Sequence, residues 1–198
     1  MLKKYKDHVE ERLQQGIPPL PLNAEQVADL VELLKSPPAG EEEFILDLIK
    51  NRTPAGVDPA AYVKAAFLTA LAKGETSSPL IDKKLATELL GTMLGGYNVE
   101  SLIKLLKDEE VGAIAADGLS KTLLMFNAKH EVIELAAENE NAKRVVESWS
   151  NGEWFTSKSK LPEVIKAIVF RVDGEINTDD FSPAQDAPSR PDLSLIHI

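Results

Sequence analysis

Asn23-Ala-Glu-Gln-Val-Ala-Asp-Leu-Val-Glu-Leu-Leu-Lys35, followed by Ser36-Pro-Pro-Ala-Gly40, shows the unit from which most of this chain is built. Asn23 is a good N-cap, because its side-chain oxygen can accept an amide N–H of the first turn. Val27, Leu30, Val31 and Leu34 then recur three and four residues apart and form one apolar stripe. The proline pair and the glycine stop the helix. Such a helix is stable only when its stripe is covered by neighbours.

Neighbours of the same kind lie on both sides. Upstream, Leu2, Tyr5, Val9 and Leu13 recur at helical spacing, Gly16 closes that helix, and Ile17-Pro-Pro-Leu-Pro21 forces an extended connection. Downstream, Glu41-Glu-Glu43 opens a third helix where the positive end of the helix dipole favours acids, with Phe44, Ile45, Leu48 and Ile49 inward. Thr53-Pro-Ala-Gly56 breaks the chain, and Asp58-Pro59 caps a fourth helix with Val63, Phe67 and Leu71 inside, closed by Gly74.

After Ser77-Ser-Pro79 the spacing predicts a helix from about Asp82 to Leu94 with Ala86, Leu90, Met93 and Leu94 on one face, ending at Gly95-Gly96. That glycine pair reads as a helix stop, since no Gly-Lys-Ser/Thr continuation makes it a phosphate cradle. Asn98 is expected to cap a short helix holding Leu102, Ile103, Leu105 and Leu106. Val111 to Phe126 is rich in Ala and Gly, where neighbouring helices can approach closely. Glu131–Glu138 and Asn141–Ser150 follow, the latter striped by Ala142, Val145, Val146 and Trp149. About nine helices and no clear strand result.

Helix starts at Asn23, Asp58, Asn98 and about Glu140 recur every 35 to 42 residues, a spacing that suits stacked helix pairs of the HEAT type and equally a compact bundle with short loops. Trp149, Trp154 and Phe155 lie just before the pattern changes and read as a buried contact between two modules; a base-stacking platform lacks the basic residues it needs nearby. From Leu161 the sequence turns strand-like: Ile168, Phe170 and Val172 alternate with Val169 and Arg171. The stretch Gly174 to Asp192, crowded with Asn, Asp, Ser, Gly and Pro, reads as an ordered loop leaving that strand. A boundary is placed near Ser157 to Lys160.

Composition removes several classes of function. The 198 residues are 43% hydrophobic, enough for a core, and no apolar run approaches the ~20 residues of a membrane span, so a cytoplasmic protein with no membrane contact is expected. A net charge of −10 without a basic stripe argues against a generic nucleic-acid binder. With no cysteine there is no disulfide, no thiol nucleophile and no Cys-ligated zinc or iron-sulfur centre. His8, His130 and His197 lack ligand spacing. Asp179 and Asp180 invite an acid-base or metal reading, but Asx turns and caps account for them. Arg190, between Ser189 and Pro191, reads by itself as a surface residue.

A resemblance changes the weight of that last residue. Gly174-Glu-Ile-Asn-Thr-Asp-Asp-Phe-Ser-Pro-Ala184 with Ser189-Arg-Pro-Asp192 is similar to the start of the swivelling domain of the bacterial aconitase B family, iron-sulfur hydro-lyases of the citric acid cycle. The likeness extends back through Pro37-Pro-Ala-Gly-Glu-Glu-Glu-Phe44, Ala60-Ala-Tyr-Val-Lys-Ala65, Glu88-Leu-Leu-Gly-Thr-Met93, Gly95-Gly-Tyr-Asn98 and Thr122-Leu-Leu-Met-Phe126. These blocks run co-linearly from Met1 to about Asp192.

The resemblance implies a mainly α fold: a HEAT-like stack of antiparallel helix pairs over 1–157, then over 158–192 the first strand and loop of a truncated α/β swivelling domain. It implies that the full-length protein interconverts citrate and isocitrate through cis-aconitate, with related members acting on the 2-methyl analogue. The family's [4Fe-4S] cluster is held by cysteines downstream of the matched region, so this N-terminal fragment is expected to bind no cluster and to be inactive. Arg190 aligns with the family's substrate-carboxylate arginine, and the Thr178-Asp-Asp180 segment borders the family's active site. A guanidinium suits a tricarboxylate because it grips a carboxylate through two parallel hydrogen bonds. Pro188 stands where the family often has an aromatic.

The family's helical domain further implies a homodimer and, in some members, mRNA binding. Leu193-Ser-Leu-Ile-His-Ile198 departs from the family and matches one reading frame of a sequencing-library transposase adapter, CTG TCT CTT ATA CAC ATC. Residues 193–198 are therefore expected to be a non-native tail, and His197 is given no function. The rival reading is a free-standing helical-repeat protein-interaction module.

Overall fold

Asn23 Oδ1 accepts the Gln26 N–H at 2.9 Å while Gln26 Oε1 accepts the Asn23 N–H at 2.9 Å, a reciprocal box that starts helix α2 (Ala24–Lys35). The computed structural model describes residues 1–16, 18–93, 95–122, 125–157, 163–166 and 174. Among them the chain is helical, with α1 (Leu2–Gln14) before α2 and α3 (Glu42–Asn51), α4 (Pro59–Ala72) and α5 (Lys83–Gly91) after it. Then come α6 (Val99–Leu105), α7 (Gly112–Lys121), α8 (Ala128–Leu135), α9 (Glu140–Ser150) and the one-turn α10 (Glu153–Thr156), which sequence pattern missed.

The expected caps at Asn23 and Asp58 form, Asp82 proves to be the cap of α5 and not its first residue, and Asn139, one residue before the expected start, caps α9 by accepting the Ala142 N–H at 2.9 Å. Asn98 does not cap. It is fully buried and its Nδ2 donates to Leu90 O at 2.7 Å, so it closes the C-terminal end of α5, where helix carbonyls lack partners. Helix α7 stops at Lys121, short of Phe126: Thr122 is extended and turns its hydroxyl back onto Gly118 O at 2.9 Å. Helix α8 begins at Ala128, three residues before the expected Glu131.

Helices α2, α4, α5, α7 and α9 contact one another in succession and form a continuous row; α3 packs beside α2, and α6 and α8 beside α7 and α9. Leu30, Ile45, Leu68, Leu90, Leu102 and Leu119 lie fully buried between the two layers. The helices that begin at Asn23, Asp58 and Asn139 belong to the row, whereas α6, which follows Asn98, belongs to the other layer. Helix α4 is buried on most of its circumference: Ala60, Ala61, Ala65 and Ala72 join Phe67 and Leu71 in the core, while Val63 is only partly covered. No helix among the described residues is long and apolar enough to cross a membrane.

Candidate functional site

Three loops converge at one end of these helices. The α3–α4 loop brings Gly56 and Val57, the α5–α6 loop Gly95 and Gly96, and the α7–α8 loop Met125 and Phe126. With Val99 and Glu100 of α6 and Ala128 and Glu131 of α8 they enclose a cleft of about 580 Å³.

Gly96 explains why the loops can meet. Its φ is +88°, and a Cβ there would stand 2.6 Å from Gly56 O, so no side chain fits. Gly56 N–H in turn donates to Met93 O at 3.4 Å. The glycine pair thus serves a loop-to-loop contact and is not the expected helix stop: α5 already ends at Gly91, with Thr92 as its C-cap.

The cleft presents apolar surface to solvent. Phe126 is 81% exposed and Val57 74%, and on the far side of Gly96 the rings of Tyr62 and Tyr97 meet edge to face with centroids 5.1 Å apart. Phe126 also sits at φ +47°, a left-handed conformation uncommon outside glycine. Its charged rim is internally neutralised in part: Lys104 hydrogen-bonds Glu100, which lowers the Glu100 pKa and raises that of Lys104, with Glu131 adding a further raising effect on the lysine. Nothing in this lining offers a cationic grip for a carboxylate or phosphate.

The other residues singled out in the sequence are dispersed. His8 lies on α1 with Nε2 accepting the Leu20 N–H at 3.0 Å, and His130 is exposed on α8. Trp149 is partly buried and donates its indole N–H to Leu119 O at 3.1 Å, tying α9 to α7. Trp154 and Phe155 pair at 5.8 Å and are 43% and 65% exposed. Arg190, Asp179, Asp180 and His197 lie outside the described residues, as do the loop 175–192 and most of the predicted strand. Of the strand-like stretch from Leu161, residues 163–166 are described, without regular structure.

Lys64 is the functional-looking group that sequence reading missed. It lies 97% covered inside α4, and its Nζ reaches Lys50 O at 3.4 Å; burial lowers its pKa from 10.5 to about 8. A lysine amid alanines on a helix whose stripe was already satisfied by Val63, Phe67 and Leu71 gave no warning of burial.

The fold and the cleft define a helical scaffold domain, in which the described residues contain no group of three or more His, Asp or Glu placed to hold a metal ion. Residues 4–155 match the family model of the Aconitate B N-terminal domain, and residues 167–197 that of the Aconitate hydratase 2 N-terminus. The chain belongs to the aconitate hydratase B family. It is 62% identical over 196 residues to Aconitate hydratase B of Pseudomonas aeruginosa, 58% to that of Escherichia coli and 47% to that of Helicobacter pylori. Each alignment covers 98% of this chain, which spans 23% of the length of these relatives.

Proposed function

We propose that this chain is the N-terminal part of an aconitate hydratase that interconverts citrate and isocitrate through cis-aconitate in the citric acid cycle, a reading that extends to dehydration of 2-methylisocitrate. Residues 1–157 form a HEAT-like helical domain and the stretch from 158 onward the first strand and substrate loop of a swivelling domain. The observation that carries the reading is 62% identity sustained over 98% of the chain with a protein of that name.

Arg190 is the residue assigned to substrate. Its fork binds one carboxylate through two charge-assisted hydrogen bonds and so orients the tricarboxylate for the reacting centre. The [4Fe-4S] cluster of the family needs cysteine thiolates, and the 198 residues contain none. This chain's residues do not fit that group, and its own part is confined to binding and orientation. Family resemblance alone supports a homodimer through the helical domain, mRNA contact and a cytoplasmic location.

The test is direct. The purified 198-residue chain, treated with iron and sulfide, is expected to show no aconitase turnover, whereas the product of the gene extended at its 3′ end is expected to turn over citrate. Turnover by the chain alone refutes the division of labour. A stop codon directly after Ile198 in a natural gene favours the second reading, a free-standing helical-repeat interaction module, which draws support from the exposed apolar cleft.

A further inference from the structure

The connector from α1 to α2, Ile17-Pro-Pro-Leu-Pro21, carries three prolines and therefore few N–H groups of its own. Side chains grip it instead. Arg12 Nε donates to Pro18 O at 2.8 Å, Arg52 Nη2 donates to Pro19 O, and Tyr5 OH donates to Leu20 O at 2.8 Å. The Leu20 N–H donates to His8 Nε2 at 3.0 Å. Tyr5 and His8, three residues apart on one helical face, thus hold the N–H and the C=O of the same residue. Tyr5 is the one buried residue of α1, so this grip is a large part of what attaches the helix.

We propose that α1 is a clamp on the connector with one pH-sensitive half, the His8 hold on the Leu20 N–H, released by protonation of His8. A neutral imidazole can accept at Nε2 when its proton is on Nδ1; the imidazolium donates from both nitrogens and cannot accept the Leu20 N–H. Protonation therefore sets two donors against each other and releases one half of the grip on Leu20.

The charged surroundings are mixed. On α1, Lys4 and Arg12 lie one turn away on either side, with Asp7 and Glu11 also near in sequence. From outside α1, Arg52 reaches this corner, its Nε donating to Tyr5 OH at 3.5 Å. Lys6, paired with Glu41 at 2.6 Å and lying 4.9 Å from the Phe44 ring centre, forms a separate attachment of α1 to α3 that involves no histidine.

The experiment is nitrogen-15 NMR of the full chain. At pH 8 a scalar coupling across the N–H···N bond is expected between the Leu20 amide and His8 Nε2, and it is expected to vanish at pH 5. The Leu20 amide protection factor should fall about fivefold to tenfold over the same range, the worth of one hydrogen bond. Amides of Leu68 and Leu90, in the core, should hold theirs. His8→Gln, whose side-chain oxygen accepts at either pH, should keep Leu20 protection level. The proposal is overturned by absence of the coupling at pH 8, by equal Leu20 protection at both pH values, by an equal fall at Leu68 and Leu90, or by the same fall in the glutamine variant.

Discussion

Gly91 and Gly118 meet backbone against backbone where α5 crosses α7. A Cβ on Gly118 would lie 2.8 Å from Gly91 Cα, and one on Gly91 3.0 Å from Gly118 Cα. Both glycines sit inside helices, where alanine is ordinarily the better residue by about 1 kcal/mol. Here the contact reverses the sign, because the neighbour is backbone and cannot swing away. Gly118→Ala is expected to destabilise the domain by about 1–3 kcal/mol, read as a lower urea midpoint. A variant as stable as the parent would mean the helices slide apart at no cost.

Lys64 makes stability depend on alkaline pH. Its folded pKa of about 8 lies below the ordinary 10.5, so the folded state holds the proton less tightly than the unfolded chain. The resulting penalty is fully present below pH 8 and is relieved as pH rises toward 10.5, worth about 3 kcal/mol in all. The C-terminal turn of α3, which presents Lys50 O, offsets part of the cost by attracting a cation. Lys64→Met should stabilise the protein by about 1–3 kcal/mol at pH 7. That gap between variant and parent should narrow at pH 9.5; a gap that does not change with pH contradicts the burial argument.

Phe126 combines strain with exposure, since it holds φ +47° with 81% of its surface in solvent. Asparagine tolerates that backbone better, and little burial is lost. Phe126→Asn is expected to raise stability by about 0.5–1 kcal/mol, checked by thermal unfolding. A clear loss of stability would show that the ring supports the cleft more than its exposure indicates.

Asp108 ties the start of α7 to α5. It accepts from Lys83 Nζ at 2.8 Å and from the N–H groups of Glu110 and Val111 at 3.0 and 3.2 Å. The Lys83 hydrogen bond is the largest cause of its lowered pKa, followed among the lowering causes by the two backbone donors. A carboxyl whose folded pKa is depressed stabilises the fold above its unfolded pKa and loses that contribution as pH falls through the folded value. Asp108→Asn should therefore cost about 0.5–1 kcal/mol at pH 7 and less as pH falls into the acid range, read from urea titrations at pH 7 and pH 2. An equal cost at both assigns the loss to packing.

Arg190 is tested in the full-length enzyme. Arg190→Lys keeps the charge and removes the fork, and kcat/KM for citrate should fall about tenfold to a hundredfold. Unchanged citrate kinetics would remove Arg190 from the substrate site.

How far the chain could be read before folding follows from the range of the forces involved. Caps at Asn23 and Asp58 and the stripe Val27, Leu30, Val31 and Leu34 depend on residues within one or two turns, and all appear where the pattern put them. The family was equally legible, since co-linear blocks carry it without any geometry. Asn98 was misread because its partner, the Leu90 carbonyl, lies eight residues back across a loop, and local propensity cannot weigh a contact of that kind. Lys64 was missed because burial of an amine depends on what packs around α4.

The sequence by itself determined that the described residues are helical and where most helices start, because hydrogen-bond capping and apolar periodicity act over a few residues; the family came from co-linear blocks of likeness instead. Only the tertiary structure decided which helices share the row from α2 to α9, that Gly91 must face Gly118, and that Val57, Gly96 and Phe126 line one cleft. Those outcomes rest on approaches such as Gly91 to Gly118, 27 positions apart, and Gly56 to Gly96, 40 apart, where close packing selects among arrangements that the local pattern leaves equally open.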